Sequence, residues 1–327
     1  MSVATDTETA DGKFRAVFLG TGVSTAVPNL QHIINPTDKP CKVCHDALAI
    51  NSKNRRNNVS LGLIFESATG DKKCVVIDVG KTMRDGCMQL LPRLGVTEVA
   101  GIVLTHGHAD AIFGLDDVRD LQISRPTKVV NEAGEESIGF KVMSGAMPVY
   151  LNEPTMATVK TCFNYLTAPP VFLDEKDKIL ERRIALLDFK VIDSNAHFEV
   201  AGLPIRAFPV YHGGTYVSLG FSIGKAGELV YISDVKIIPE ETMAYLKALS
   251  RIKVFVIDVL NFEGIFAHMG LDEALGIVAE LNPEVTYFVG MSCSVGMHDE
   301  LEAKLAKIAP NTHLAYDGLV LEGFDIN

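Results

Sequence analysis

The sequence has little positive charge and no long apolar run, and both absences narrow what the protein can be. Its 30 lysines and arginines face 41 aspartates and glutamates, a net charge of −11, so the average surface repels polyanions. No stretch approaches the roughly 20 consecutive apolar residues that a membrane-spanning helix needs. We therefore expect a small-molecule substrate rather than a nucleic acid, and no membrane partner.

The amino-terminal segment and the cysteines show neither a targeting signal nor a disulfide framework. Residues 1–13 are polar and acidic, unlike a secretory signal or an arginine-rich presequence, and we expect them to form a disordered tail. The six cysteines lack the regular spacing and density of a secreted disulfide scaffold. The expectation is a cytoplasmic protein with reduced thiols and a single domain over residues 14–327.

Short β-rich runs and segments of helical spacing alternate along residues 14–327. The predicted strands are 14–19, 60–65, 74–78, 99–104, 147–151, 189–192, 198–200, 205–210, 219–223, 229–232, 254–259 and 286–289. The predicted helices are 83–94, 115–121, 156–163, 240–249 and 271–281. This pattern is typical of an α/β or α+β fold in which helices cover packed sheets. The proline- and charge-rich segment 167–183 is expected to be an insertion or cap, or a solvated loop.

One segment carries three metal-ligating residue types at alternate positions, directly after a predicted strand. The run Thr-His-Gly-His-Ala-Asp contains His106, His108 and Asp110. Imidazole nitrogens and carboxylate oxygens are the ligands that a catalytic Zn²⁺ or a similar divalent ion accepts. The pattern predicts a metal centre, and the alternative is a polar loop with incidental histidines.

This segment resembles the metal-binding loop of the metallo-β-lactamase-fold hydrolases, which reads H-x-H-x-D-H. His106, His108 and Asp110 fill the first three positions, and Ala111 stands where the family has a histidine that helps to hold a second ion. The resemblance implies a four-layer αββα sandwich and a hydrolase that uses one or two catalytic divalent ions. Zn²⁺ suits these ligands, with Mn²⁺ or Fe²⁺ as alternatives.

Three later residues follow predicted strands in the order that the resemblance implies. His212 matches a histidine of the first metal site, and Asp234 matches the carboxylate that bridges two ions. Cys293 stands where we place the last ligand of the family, usually a histidine. Because thiolate is a good zinc ligand, we expect Cys293 to complete a second site with Asp110 and Asp234, the alternative being an ordinary buried thiol.

Cys41 and Cys44 form a C-x-x-C pair, the spacing of half a structural zinc site. The phosphodiesterase branch of the family, which includes the cyclic phosphodiesterase of bacterial phosphonate breakdown, has a cysteine-rich zinc loop here and takes a histidine from beyond the last ligand. His298 is the match in this chain, and His32 and His45 are further candidates. A metal-free loop with two thiols is the alternative.

The same branch implies a general acid just before a helix, and His268 stands there. The alternative is an incidental histidine at a helix start capped by Asp272. Asp110 is expected to orient the attacking water, in addition to its role as a ligand. Asp78 is expected to orient the ligand loop without binding metal itself.

These residues predict a metal-dependent hydrolase, most specifically a phosphodiesterase acting on a small or cyclic phosphodiester through a metal-activated water. The resemblance also allows a homodimer, since homodimers are common in the family, but the sequence itself shows no interface. Three alternatives remain. The first is a metal-binding scaffold without catalysis, and the second is an endonuclease of the tRNA end-processing type, which has an intact H-x-H-x-D-H loop and an RNA-gripping arm. The third is a redox-responsive binding protein built on Cys41, Cys44 and Cys293.

Overall fold

The computed structural model describes residues 9–35, 39–67, 69–131 and 133–327. Its strands are β1 (Thr9–Gly20), β2 (Ser60–Ser67), β3 (Lys72–Ile77), β4 (Glu98–Val103), β5 (Ser124–Val130), β6 (Glu136–Val142), β7 (Met147–Leu151), β8 (Phe172–Asp174), β9 (Ile179–Leu180), β10 (Leu187–Val191), β11 (His197–Val200), β12 (Leu203–Tyr211), β13 (Val217–Ile223), β14 (Leu229–Ile232), β15 (Val254–Asp258), β16 (Val285–Val289), β17 (Thr312–Leu314) and β18 (Val320–Asp325). Its α-helices are α1 (Leu30–Ile34), α2 (Lys42–Asp46), α3 (Met83–Leu90), α4 (Ala109–Ile112), α5 (Glu153–Cys162), α6 (Asn164–Thr167), α7 (Glu240–Ala248), α8 (Leu271–Leu281) and α9 (His298–Ile308). Short 3-10 turns lie at Pro92–Leu94, Leu115–Asp120 and Cys293–Val295.

Most strands belong to two seven-stranded sheets that share one apolar core. The first sheet has the order β10-β7-β4-β3-β2-β1-β18, and the second has the order β11-β12-β13-β14-β15-β16-β17. Side chains alternate between the faces of each strand: Phe14 and Phe18 of β1 pack into the core shared with the second sheet, whereas Val17 packs on the outer face. The inter-sheet core also includes Phe221 and Tyr231 from the second sheet.

Helices cover the outer face of each sheet, so the four-layer αββα sandwich is confirmed. Met83 of α3 and Val159 of α5 pack against the outer face of the first sheet. Leu246 of α7, Ala274 of α8 and Leu301 of α9 belong to the cluster on the outer face of the second. Each layer thereby buries the apolar side of its neighbour.

A third sheet of four strands, ordered β5-β6-β9-β8, is assembled from two separate segments of the chain. The segment 167–183, predicted to be an insertion or cap, supplies β8 and β9, and Leu180 pairs with Phe140 of β6. The sequence patterns did not predict β5 and β6. No helix among the described residues is long and apolar enough to cross a membrane.

The first strand starts earlier than the sequence indicates. β1 begins at Thr9, so assigning residues 9–13 to a disordered tail was wrong. Backbone pairing explains the difference, since Thr9 pairs with Ser67 of β2 and Lys13 pairs with Asp325 of β18. Residues 1–8 of the expected tail lie outside the described part of the chain.

Candidate metal centre

Three histidines from two different strand ends converge on one point. His106 and His108 follow β4, His212 follows β12, and their nearest ring nitrogens all lie within 4.8 Å of one another. Nε2 of His212 is 3.2 Å from Nδ1 of His108. Burial lowers the pKa of His106 to about 3, so its imidazole is neutral at neutral pH and offers a lone pair to a metal.

A chain of hydrogen bonds fixes which nitrogen of His106 is available. Thr105 donates its backbone N–H and its hydroxyl to Asp78 at 2.8 and 2.7 Å. The Thr105 hydroxyl is therefore left to accept from Nδ1 of His106, 2.8 Å away. Nε2 of His106 is buried and has no hydrogen-bond partner, which fits a metal ligand, because a buried polar atom without any partner is costly. Asp78 thus acts on the ligand through Thr105.

His212 is oriented in the same way by the backbone. Its Nδ1 lies 2.8 Å from the carbonyl oxygen of Ala267. A carbonyl only accepts, so Nδ1 carries the proton and Nε2 is free towards His106 and His108. Such a contact to the far nitrogen is usual for metal-binding histidines.

Two carboxylates complete the centre. Oδ1 of Asp234 is 3.9 Å from Nε2 of His212, and Oδ1 of Asp110 is 3.9 Å from Nε2 of His106. Burial alone would raise the pKa of Asp234, but the nearby histidines lower it overall. Burial and the neighbouring Asp234 raise the pKa of Asp110 to about 6. Three imidazoles and an ionised carboxylate form a donor set that fits one divalent ion.

His268 lies at the edge of this centre and is held by a buried carboxylate. Its Nδ1 is 2.7 Å from Oδ2 of Asp258, the last residue of β15, and its ring centroid is 4.7 Å from that of His212. Burial disfavours the charged ring, but the charge and hydrogen bond of Asp258 outweigh it and raise the pKa of His268 to about 9. Sequence reasoning missed Asp258, although it follows an apolar strand just as Asp234 does.

The expected second metal site is not formed as predicted, because Cys293 lies elsewhere. After β16, the side chain that enters the interior is that of Met291, which is fully buried among apolar neighbours. Gly290 turns the chain with φ +75°, and a 3-10 turn beginning at Cys293 then directs the thiol to the loop around α2. The residues that do group with Asp234 are His212 and His268, and the ligand atoms of these three lie within 4.8 Å of one another.

Cys293 instead joins Cys41, Cys44 and His32 in a separate cluster. The ligand atoms of all four residues lie within 4.8 Å of one another. Nδ1 of His32 is 3.3 Å from Sγ of Cys44 and 3.5 Å from Sγ of Cys293. Three thiols and one imidazole are the composition of a structural zinc site.

The assignment of His298 to this cluster was wrong. His298 opens α9, its backbone N–H donates to Oδ1 of Asn54, and its ring packs against Tyr316 at 5.8 Å between centroids. The imidazole in the group with the three thiols is that of His32 from α1. His45 is likewise outside the four-residue group.

Comparison with known proteins identifies the class to which this fold and site belong. Residues 73–291, more than half of the chain, match the model of a β-lactamase superfamily domain. The chain therefore belongs to the metallo-β-lactamase superfamily, whose members are metal-dependent hydrolases. The expected family and fold are thereby confirmed.

Among solved structures, the chain is similar to a diphosphatase of the PhnP family, with a TM-score of 0.71 and 25% identity, over 96% of this chain and 99% of that one. It also shares the fold of Zn²⁺-bound PqqB from Methylobacterium extorquens, with a TM-score of 0.62, 17% identity, and coverage of 94% and 99%. Human tRNase Z, short form, has a TM-score of 0.52, 13% identity, and coverage of 94% and 98%.

A curated relative is an octanoyltransferase of Porphyromonas gingivalis (strain ATCC BAA-308 / W83), 22% identical over 306 residues. The match covers 93% of this chain but only 51% of the relative. The chain thus spans about half the length of that protein.

Proposed function

We propose that this protein is a phosphodiesterase that hydrolyses a small phosphodiester. The observation that carries the proposal is the pairing of His268 with Asp258 beside the three-histidine centre. A metal centre alone suits many hydrolytic reactions, whereas a positioned proton donor next to it favours a substrate whose leaving alkoxide must be protonated.

The residues of the centre divide into ligands and proton carriers. His106, His108, His212 and Asp234 would hold the catalytic ion, which we propose to be zinc. When bound, the ion supplies an activated water and stabilises charge on the phosphoryl group. Asp110 would orient the attacking water by accepting a hydrogen bond from it.

His268 provides the proton that the leaving oxygen needs. Asp258 is 0% exposed and binds Nδ1 of His268, so the proton on Nε2 is the one available to the substrate. As the bond between phosphorus and the leaving oxygen breaks, this proton moves to the oxygen. Asp258 retains the ring orientation throughout.

Charge near the centre supports an anionic but small substrate. The charge of Lys81 lowers the pKa of Asp110, so a cation stands close enough to the centre to attract a phosphate. Its Nζ donates to the carbonyl of Ser24 at 2.6 Å. The overall charge of −11 opposes a long polyanion such as RNA.

A second candidate activity is the hydrolysis of a phosphoric anhydride. The similarity to a diphosphatase, at 25% identity over 96% of the chain, favours it. The same proton donor would be less important there, because a phosphate leaving group is already stable as an anion.

Initial rates on three substrates would test the proposal: bis(p-nitrophenyl) phosphate, a 2′,3′-cyclic nucleotide, and a dinucleoside diphosphate. We expect turnover of a diester, loss of that turnover in His106→Ala, and no effect of the matched control His45→Ala. Turnover of the diphosphate alone would replace the proposal by the second candidate. Absence of all three activities in protein that holds its full complement of metal would refute both.

A further inference from the structure

Arg56 is a buried cation that has no hydrogen-bonded anion among the residues that the structure describes. Its side chain is 0% exposed, and its backbone is fixed by hydrogen bonds to Val27 in both directions, at 2.8 and 2.9 Å. Burying an unpaired charge is strongly unfavourable. Such a residue requires a negative partner.

The guanidinium uses only one of its nitrogens in a hydrogen bond. Nη1 donates to the carbonyl oxygen of Ser292 at 3.1 Å, while Nε and Nη2 have no partner. Ser292 directly precedes Cys293 of the cysteine cluster. Arg56 therefore lies beside the cluster, and its Nε and Nη2 can donate further hydrogen bonds.

Burial lowers the pKa of Arg56, and the acidic groups whose charges oppose this effect are the carboxyl of Asp317 and the thiols of Cys293 and Cys44. Asp317 already accepts from the hydroxyl of Thr21 at 2.8 Å and from the backbone N–H of Asn57 at 2.7 Å. These neutral donors do not remove the charge of Asp317, but burial raises the pKa of its carboxyl to about 7, so at neutral pH it supplies only part of a negative charge. The cluster is the remaining source. A thiol that coordinates a metal ion is deprotonated, so three thiolates, one neutral imidazole and a divalent ion carry a net charge of −1.

We propose that Arg56 is the counter-charge of the metal-loaded cysteine cluster and makes the tris-thiolate form of that site favourable. The positive charge of Arg56 then balances the net charge of −1 on the loaded cluster. Removal of the ion with reprotonation of the thiols leaves the arginine with only the partial charge of Asp317. Arg56 is thus a positioning residue for a soft divalent ion, and this role does not depend on which substrate the catalytic centre hydrolyses.

The proposal predicts opposite effects of one substitution on the two states of the protein. Arg56→Met keeps much of the side-chain volume and removes the charge. It should weaken zinc binding at the cluster by about 10–100-fold, the range for residues that support metal ligands. It should lower the melting temperature of the zinc-loaded protein, but leave unchanged or raise that of the chelator-treated protein. A residue that mattered only through its bond to Ser292 would lower both.

The experiment is best made in a His106→Ala background, so that the cluster is the site being titrated. Zinc transfer to a chromophoric chelator would be compared for Arg56→Met, for Arg56→Lys, which keeps the charge, and for Arg55→Met as the matched neighbour. Cobalt substitution would report the thiolates directly through their charge-transfer absorption. We expect weak binding and reduced thiolate absorption in Arg56→Met, with Arg56→Lys and Arg55→Met close to the parent.

Two results would overturn the proposal. One is folded Arg56→Met protein that binds zinc as tightly as the parent. The other is a loss of zinc affinity in Arg56→Lys as large as in Arg56→Met, because the charge would then be irrelevant. Should Arg56→Met not fold, Arg56→Gln, which also removes the charge, takes its place in both comparisons.

Discussion

Replacing Asp258 by Asn tests whether His268 delivers a proton. The substitution preserves shape but removes the charge that, against the effect of burial, raises the pKa of His268 to about 9. In the variant, burial would favour the neutral ring at pH 7. Since a general acid contributes about 10²–10⁴-fold, kcat for the 2′,3′-cyclic nucleotide should fall by that order.

The dependence on leaving group separates a chemical role of Asp258 from a structural one. p-Nitrophenolate departs without a proton, so turnover of bis(p-nitrophenyl) phosphate should fall less than about 10-fold. Activity of the parent needs protonated His268 and decreases as pH rises through its pKa, and in Asp258→Asn this decrease should move to lower pH. Equal losses on both substrates, with metal content unchanged by elemental analysis, would refute the reasoning.

Further variants probe the metal sites and their support. Elemental analysis should find about two zinc equivalents per chain rather than three, falling by one in Cys293→Ser with diesterase activity retained, and a loss of activity there would return Cys293 to the catalytic centre. His106→Ala should lose the other equivalent and the activity together. Gly290→Ala should unfold at lower temperature, because its Cβ would lie 2.1 Å from Oδ1 of Asp258, and unchanged melting would contradict that geometry. Phe255→Ala should destabilise the fold by about 3–5 kcal/mol in chemical denaturation, since Phe255 is 0% exposed. A loss below about 1 kcal/mol would mean that the core closes around the gap.

The convergence of the residues in the candidate metal centre could be predicted because the information is local. His106, His108, His212 and Asp234 each follow an apolar run that has one structural interpretation, a buried strand that ends at the polar edge of a sheet. The helix at Leu271–Leu281 and the strand at Met147–Leu151 were also predicted with the bounds that the structure shows, since their apolar spacing is regular.

The residues that were misassigned or missed depend on what lies opposite them in space. Cys293 was wrongly assigned to the catalytic centre. The direction of its side chain depends on the positive φ of Gly290, and the sequence does not reveal that angle. The role of Asp258 depends on its contact with His268, and that of Arg56 on the thiols near it. The sequence shows neither of these contacts. β5 was not predicted because its residues are exposed or half-buried on both faces, so no apolar alternation marks it as a strand.

The cysteine cluster also has a consequence for the order of assembly. His32 and Cys293 are 261 positions apart in the chain, and they belong to segments that flank opposite sheets. Closing so long a loop is entropically costly and gains nothing until both sheets are in place. Binding of a metal ion by all four residues of the cluster would therefore be a late event, and such an ion would report that both sheets have already assembled.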